Sequence, residues 1–394
     1  MTEQLEELSG SAADLCPILS NATLSAISEG MMLDLLCGVL VMFSAAALGY
    51  SLYNLGEEFI SNNWRIMALS SNQTAIQVLA DAIGRRLPKF ISRAAIHFPT
   101  TTFKILCTAK YLAKQIGTQV IRDKMAAGQK GSGLGTDVFD IVLDQKKNAL
   151  TLDELAAHTG VILLGLFFNL WYPPLGLNES VGGQDTTANA LAFGLLELAR
   201  HPEFQEKLRA EVNSSLILGS HSMAYDSIPL LNAFIKETLR LYPAEALAEL
   251  IAVQDTIIPL TESIKTSTGK PMKEIWVRKG QILTAAVASY QRLESRWGED
   301  AHEFRPSRWI DGTVSQGLAL GPYANLLSFH GGPRTCLGWR FAISEMQVFF
   351  SESVAKFAFA LPEEGAARSR FASSLMPVLV NGKKGVLLRV ARIE

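Results

Sequence analysis

The ten residues Phe329-His330-Gly331-Gly332-Pro333-Arg334-Thr335-Cys336-Leu337-Gly338 constrain this chain more than any other stretch. A cysteine stands among glycines, beside an arginine. It heads a run in which Ile343, Met346, Phe350 and Val354 recur with helical period. A cysteine before a helix N-terminus meets unpaired backbone N–H groups and the positive end of the helix dipole, and both favour thiolate over thiol. Gly332 and Gly338 carry no Cβ, so backbone or a flat ligand can approach closely. Arg334 offers a rigid cationic fork to a carboxylate. An isolated cysteine in a glycine-rich turn is most often a small buried hydrophobe. The weight therefore rests on the whole spacing, Phe-x-x-Gly-x-Arg-x-Cys-x-Gly.

Composition leaves room for a large core. The chain has 394 residues, 48% hydrophobic and 19% charged, enough for one large domain or two smaller ones. The net charge is −2 and no basic run exists, so no nucleic-acid partner is expected. Cys16, Cys37, Cys107 and Cys336 are widely spaced and form no CxxC pair, which argues against a disulfide framework or a zinc site. The acidic start, with Glu3, Glu6 and Glu7, has the wrong charge for a secretory signal.

Along the chain, residues 1–29 read as helical. Residues 31–53 are the most apolar stretch, with Asp34 the one charge. A membrane span needs about 20 apolar residues, so both a span and a buried helix stay open there. Thr151 and Glu154 mark a helix start, and Pro173-Pro174 cannot lie inside an intact helix. Gly182-Gly183-Gln184-Asp185-Thr186-Thr187 precedes a helical run that ends at His201-Pro202. The glycines followed by an acid and a hydroxyl fit a helix opened for a ligand, or an ordinary helix start capped by Asp185 or Thr186. In a helix around Asn232 to Leu241, Glu237 and Arg240 share a face at i and i+3, and Tyr242-Pro243 stops it. Phe304-Arg305-Pro306-Ser307-Arg308-Trp309 offers a second arginine to Glu237. Residues 275–290 around Lys279-Gly280 read as a hairpin or strand pair, and Pro377 to Val390 as a hairpin about Asn381-Gly382.

A thiolate, a flat clearance and a carboxylate clamp are the needs of a haem with its propionates. The cysteine spacing resembles the haem-ligand signature of the cytochrome P450 family. Gly-Gly-x-Asp-Thr-Thr at 182–187, Glu-x-x-Arg at 237–240 and Pro-Ser-Arg-Trp at 306–309 stand before it in that family's order. The resemblance covers residues 151 onward and is nearest to the fungal membrane-associated members. It implies a mainly α fold with a small β region, the cytochrome P450 fold lacking its N-terminal part. Residues 1–60 would form an N-terminal helical segment and 61–394 the haem-binding catalytic domain.

By the same resemblance the cofactor is heme b, its iron held by the Cys336 thiolate, with Phe329, Gly332, Arg334 and Gly338 shaping the site. Asp185 and Thr186 would be the acid–alcohol pair that passes protons to bound oxygen. Glu237, Arg240 and Arg308 would form a buried cluster supporting the haem side of the fold. The implied reaction puts one atom of dioxygen into a small apolar substrate in secondary metabolism, for example a terpenoid. Electrons would come from NADPH-cytochrome P450 reductase, with a location at the endoplasmic reticulum membrane. Two departures stand against this. The family's Trp-x-x-x-Arg occurs nowhere, and Leu250 stands where an arginine for a propionate is usual. The alternative is a shortened, non-catalytic remnant, and an isomerase or peroxygenase is a third reading. Residues 30–45 and 165–181 interrupt the family-like pattern and are read as translated intervening sequence, or else as a true membrane span and a substrate-access insertion.

Overall fold

The computed structural model describes residues 2–10, 12–29, 184–217, 225–314, 320–336, 338–363, 367–371 and 374–393, with scattered helical residues between 58 and 122. The expectations at residues 31–53, Thr151, Pro173-Pro174 and Gly182-Gly183, and both interrupting runs, lie outside them.

The centre is helix α3 (Gln184–Arg200), and α4 (Pro202–Ile217) follows across His201. The break falls where Pro202 forbids the preceding residue a helical backbone. From Ala188 to Ala199 almost every α3 side chain is buried, as expected of a helix with neighbours on all sides. Those neighbours are α2 (Cys16–Glu29), α4, α5 (Pro229–Leu241) and α8 (Trp339–Lys356). Gly194 lets the last two close in. A Cβ there would stand 2.3 Å from Phe350 Cζ and 3.2 Å from Phe234 Cζ. Phe234 and Phe350 meet edge to face at 4.7 Å between centroids.

Proline and tyrosine bound α5. Pro229 takes the first turn, where its missing N–H costs nothing, and Tyr242 ends the helix before Pro243. The buried face runs from Leu231 to Leu241 and includes Glu237 and Arg240.

Residues 1–29 are not helical throughout. Between α1 (Thr2–Glu7) and α2 runs a short strand, β1 (Ala12–Asp14). It pairs with β9 (Leu387–Arg392), and β6 (Phe357–Ala360) lies on the other side of β9. Asp14 explains the break in helix. Its Oδ1 accepts the Cys16 N–H at 3.1 Å and the Val386 N–H at 2.9 Å, tying the start of α2 to the C-terminal hairpin. Leu5, Leu15 and Leu19 join the main core.

The strands flanking Lys279-Gly280 exist but do not pair with each other. β4 (Pro271–Val277) pairs with β3 (Thr256–Lys265), and β5 (Ile282–Ala285) pairs with β2 (Ala248–Ile251). At the C-terminus Asn381-Gly382 does turn the chain, with Gly382 at φ +80°. A single bridge, Val378 with Lys384, joins the arms there. Beyond it β8 (Leu375–Val378) goes to β7 (Arg368–Phe371), while β9 goes to β1 and β6. Between β5 and α8 lie two one-turn helices, α6 (Val287–Tyr290) and α7 (Glu294–Trp297), and two 3₁₀ turns, Pro306–Trp309 and Gly332–Arg334. No helix among the described residues is long and apolar enough to cross a membrane.

Candidate functional site

The site is built on a buried charge cluster. Glu237 has no exposed surface, and its two oxygens accept five hydrogen bonds. Arg240 gives two at 2.9 Å, through Nε to Oε2 and Nη2 to Oε1. Arg308 Nε gives one at 2.9 Å, Trp309 Nε1 one at 2.9 Å and the Arg305 backbone N–H one at 2.8 Å. The remaining guanidinium donors go largely to backbone carbonyls. Arg240 bonds Gln291 O, Ala301 O and Glu303 O, and Arg308 bonds Trp297 O and Asp300 O. Burial pulls the Arg308 pKa down, but Glu237 and Asp300 outweigh it and hold that pKa above its ordinary value. Two buried cations thus share one buried anion, with hydrogen bonds taking up the donors that remain.

Gln291, fully buried, carries this cluster to the cysteine loop. Its Nε2 donates to Arg240 O at 2.9 Å and Leu239 O at 3.1 Å, and its Oε1 accepts the Leu327 N–H at 2.7 Å. Ser328 Oγ donates to Leu239 O at 2.7 Å. Gln291 and Asp300 escaped the sequence reading, as did the bond from Trp309 to Glu237, 72 residues away.

The loop itself is less constrained. Phe329 is buried and meets Tyr323 edge to face. The Cys336 N–H donates to Phe329 O at 2.8 Å, closing the turn. Gly331 has no room for a side chain, because a Cβ would stand 2.0 Å from Leu320 O. Gly332 has φ +63°, and nothing lies within 4 Å of where a Cβ at Gly332 or Gly338 would stand. Arg334 is exposed and makes no hydrogen bond or ion pair among the described residues. Cys336 is exposed too.

Without a ligand on the sulfur, the surroundings of Cys336 favour the thiol. Enough chain surrounds the sulfur that desolvation pushes its pKa above the ordinary thiol value. The Gly338 backbone N–H bonds the sulfur and works against that rise, and the charge of Glu245 adds to it. The dipole argument weakens because α8 begins at Trp339, three residues beyond the cysteine.

Asp185 and Thr186 lie in the first described turn of α3, Asp185 buried and Thr186 partly so. Lys384, from the C-terminal turn, donates to Asp185 Oδ1 at 2.8 Å. Asp185 Oδ2 is buried and has no partner among the described residues. One turn on, Asn189 Nδ2 donates to Ser374 Oγ at 3.1 Å.

Comparison with known proteins covers this same region. The family model described as Cytochrome P450 matches residues 176–389. Ganoderic acid synthetase CYP5150L8 of Ganoderma lucidum is 30% identical over 310 residues, which are 73% of this chain and 53% of that protein. Cytochrome P450 monooxygenase claQ of Ampulloclitocybe clavipes is 32% identical over 350 residues, 83% of this chain and 62% of that one. The chain spans little more than half the length of the first of these relatives. A solved structure, the cytochrome P450DA heme domain, superposes with a TM-score of 0.65 at 18% identity, over all of this chain and 71% of that one. At that identity the likeness speaks to the fold alone. With more than half of its residues matched by the family model and its helices arranged as in a solved heme domain, the chain belongs to the cytochrome P450 family.

Proposed function

We propose that this chain is a haem-thiolate monooxygenase in which Cys336 is the axial ligand of heme b. The observation that carries the reading is the cysteine loop. It is closed by the Cys336 N–H to Phe329 O bond and leaves the sulfur exposed. The loop fits a thiolate ligand and a flat partner. A ligating cysteine must be deprotonated, and the Gly338 N–H is the donor this chain supplies to hold that charge. The clearances at Gly332 and Gly338 leave room for a macrocycle, and the unpartnered Arg334 suits a propionate.

When bound, a haem held by a thiolate supplies dioxygen activation, the thiolate favouring O–O cleavage. The chain's own part is to orient, exclude water and move protons. Asp185 is held through one oxygen by Lys384, and its other oxygen is left to carry a proton toward the neighbouring Thr186 hydroxyl. The Glu237–Arg240–Arg308 cluster acts through Gln291 to fix Leu327 and Ser328, which lead into the loop. Family resemblance supports a small apolar substrate in secondary metabolism, electrons from NADPH-cytochrome P450 reductase and a site of action at the endoplasmic reticulum membrane. The named relatives are fungal monooxygenases and a ganoderic acid synthetase.

One observation favours the second reading, a chain without catalysis. Leu250, on β2 where the family usually has an arginine, is half exposed and offers no charge to a propionate. The absorption spectrum of the purified, reduced, carbon-monoxide-treated chain decides between the two. A thiolate-type spectrum lost in Cys336→Ser but kept in Cys16→Ser and Cys107→Ser supports the enzyme reading. No spectrum from the wild-type chain after haem titration overturns it.

A further inference from the structure

His330 holds the second position of the cysteine loop with φ +56°. Left-handed backbone is cheap for glycine, while an ordinary residue there stores on the order of 1 kcal/mol or more. Such strain persists only where surrounding contacts over-determine it. Histidine takes up left-handed backbone more readily than most residues. From there its Nε2 lies 2.9 Å from Glu245 Oε2.

The two partners come from different walls. Glu245 sits between α5 and β2 on backbone fixed from both sides. The Leu375 N–H donates to Ala244 O at 2.7 Å, and the Ala288 N–H donates to Ala246 O at 3.0 Å. His330 belongs to the loop whose amides close on Leu327 O and Phe329 O. The carboxylate of Glu245 is also the charge that acts on the Cys336 sulfur. Hydrogen bonding to that carboxylate holds the imidazole pKa above its ordinary value, so a proton on His330 offsets a negative charge beside the sulfur.

We propose that His330 and Glu245 are positioning residues for the thiolate loop, a side-chain bridge that ties the cysteine's loop to the fixed segment after α5. This rests on the haem-thiolate reading and adds to it a pair that the family's cysteine, Glu-x-x-Arg and acid–alcohol motifs do not contain.

The test uses the full chain and three variants: His330→Asn, Glu245→Gln and the double variant. Asparagine tolerates left-handed backbone but is too short for the bridge. Glu245→Gln leaves the loop's own sequence untouched. The first readout is hydrogen exchange of the Cys336 amide in haem-free protein. Solvent screening of a partly exposed pair limits the effect, so His330→Asn should speed this exchange up to about fivefold. Glu245→Gln should move it the same way by less, and the double variant should be no worse than His330→Asn. The second readout is the ferrous carbon-monoxide spectrum after haem titration, in which the thiolate-type fraction should fall in the same order. Exchange and spectrum both at wild-type values in His330→Asn and Glu245→Gln overturn the proposal. Wild-type protein that binds haem without a thiolate-type spectrum overturns the reading beneath it, and the exchange data then still decide the bridge.

Discussion

The Glu237 cluster and the cysteine loop stand at opposite ends of one hydrogen-bonded path, and they are built on opposite principles. Glu237, Arg240 and Arg308 are fully or almost fully buried, and their charged groups are met by charge or by carbonyl. Cys336 and Arg334 are exposed, and Arg334 has no partner among the described residues. His330, two positions from Gly332, keeps a strained backbone. The cluster satisfies itself in the free chain, whereas the loop leaves its cation and its sulfur available. Stability belongs to the first and chemistry to the second, and mutations should separate them.

The largest effect is expected at Glu237. Glu237→Ala leaves buried Arg240 without its anion and Arg308 with Asp300 alone, and breaking such a pair typically costs about 3–5 kcal/mol. Denaturant unfolding should show that loss, or the variant should fail to fold. A loss under 1 kcal/mol would mean that the cluster is no keystone. Gly194→Ala comes next. Its methyl would meet Phe350 Cζ at 2.3 Å, and overpacking of this kind costs about 1–3 kcal/mol. The same denaturant curve should place it between Glu237→Ala and any change in the loop.

The two regions also differ in how they could be read from the sequence. The Glu237–Arg240 pair follows from i,i+3 spacing, and Arg308 from the arginines near Trp309, because a helix face and a short motif are local patterns. The cysteine stood out through spacing alone. What the pattern missed was long-range. Gln291 bonds backbone 51 residues earlier and 36 later, and nothing around Tyr290 announces it. The strands about Lys279-Gly280 were legible as strands, but their partners were not, since β3 and β2 compete for them through tertiary register. The surroundings of Cys336 were hidden for a related reason. A sequence shows that a helix follows, but not that it starts three residues late or that Glu245 lies near the sulfur.

Cys336→Ser should sharpen the contrast. The residue is exposed and its loop is closed by its backbone N–H, so unfolding stability should shift by less than about 0.5 kcal/mol while the thiolate-type spectrum disappears. A large loss of stability would place Cys336 in the structural half of the molecule.

The smallest effect is a pH dependence at His330, and its sign is fixed by the direction of the shift. The Glu245 hydrogen bond raises the folded-state pKa of His330 above the ordinary value, and burial only partly opposes it. The bridge therefore contributes fully below about pH 6.5, the pKa of unfolded histidine, and its contribution is lost as pH rises through the raised folded value. Glu245 is the titratable group bonded to the ring, so acid below the carboxylate range removes the bridge from the other side. Both side chains are about a quarter exposed, 26% and 27%, so solvent screening holds the energy to roughly 1 kcal/mol or less. Global unfolding should hardly register it. The Cys336 amide should, because its bond to Phe329 O closes the loop that the bridge holds. Its protection, corrected for intrinsic exchange chemistry, should fall from mildly acidic to mildly alkaline pH in the wild type and stay flat in Glu245→Gln. A wild-type profile as flat as that of the variant would mean that the loop is held by its backbone alone, and that its difference from the Glu237 cluster is one of exposure and not of charge.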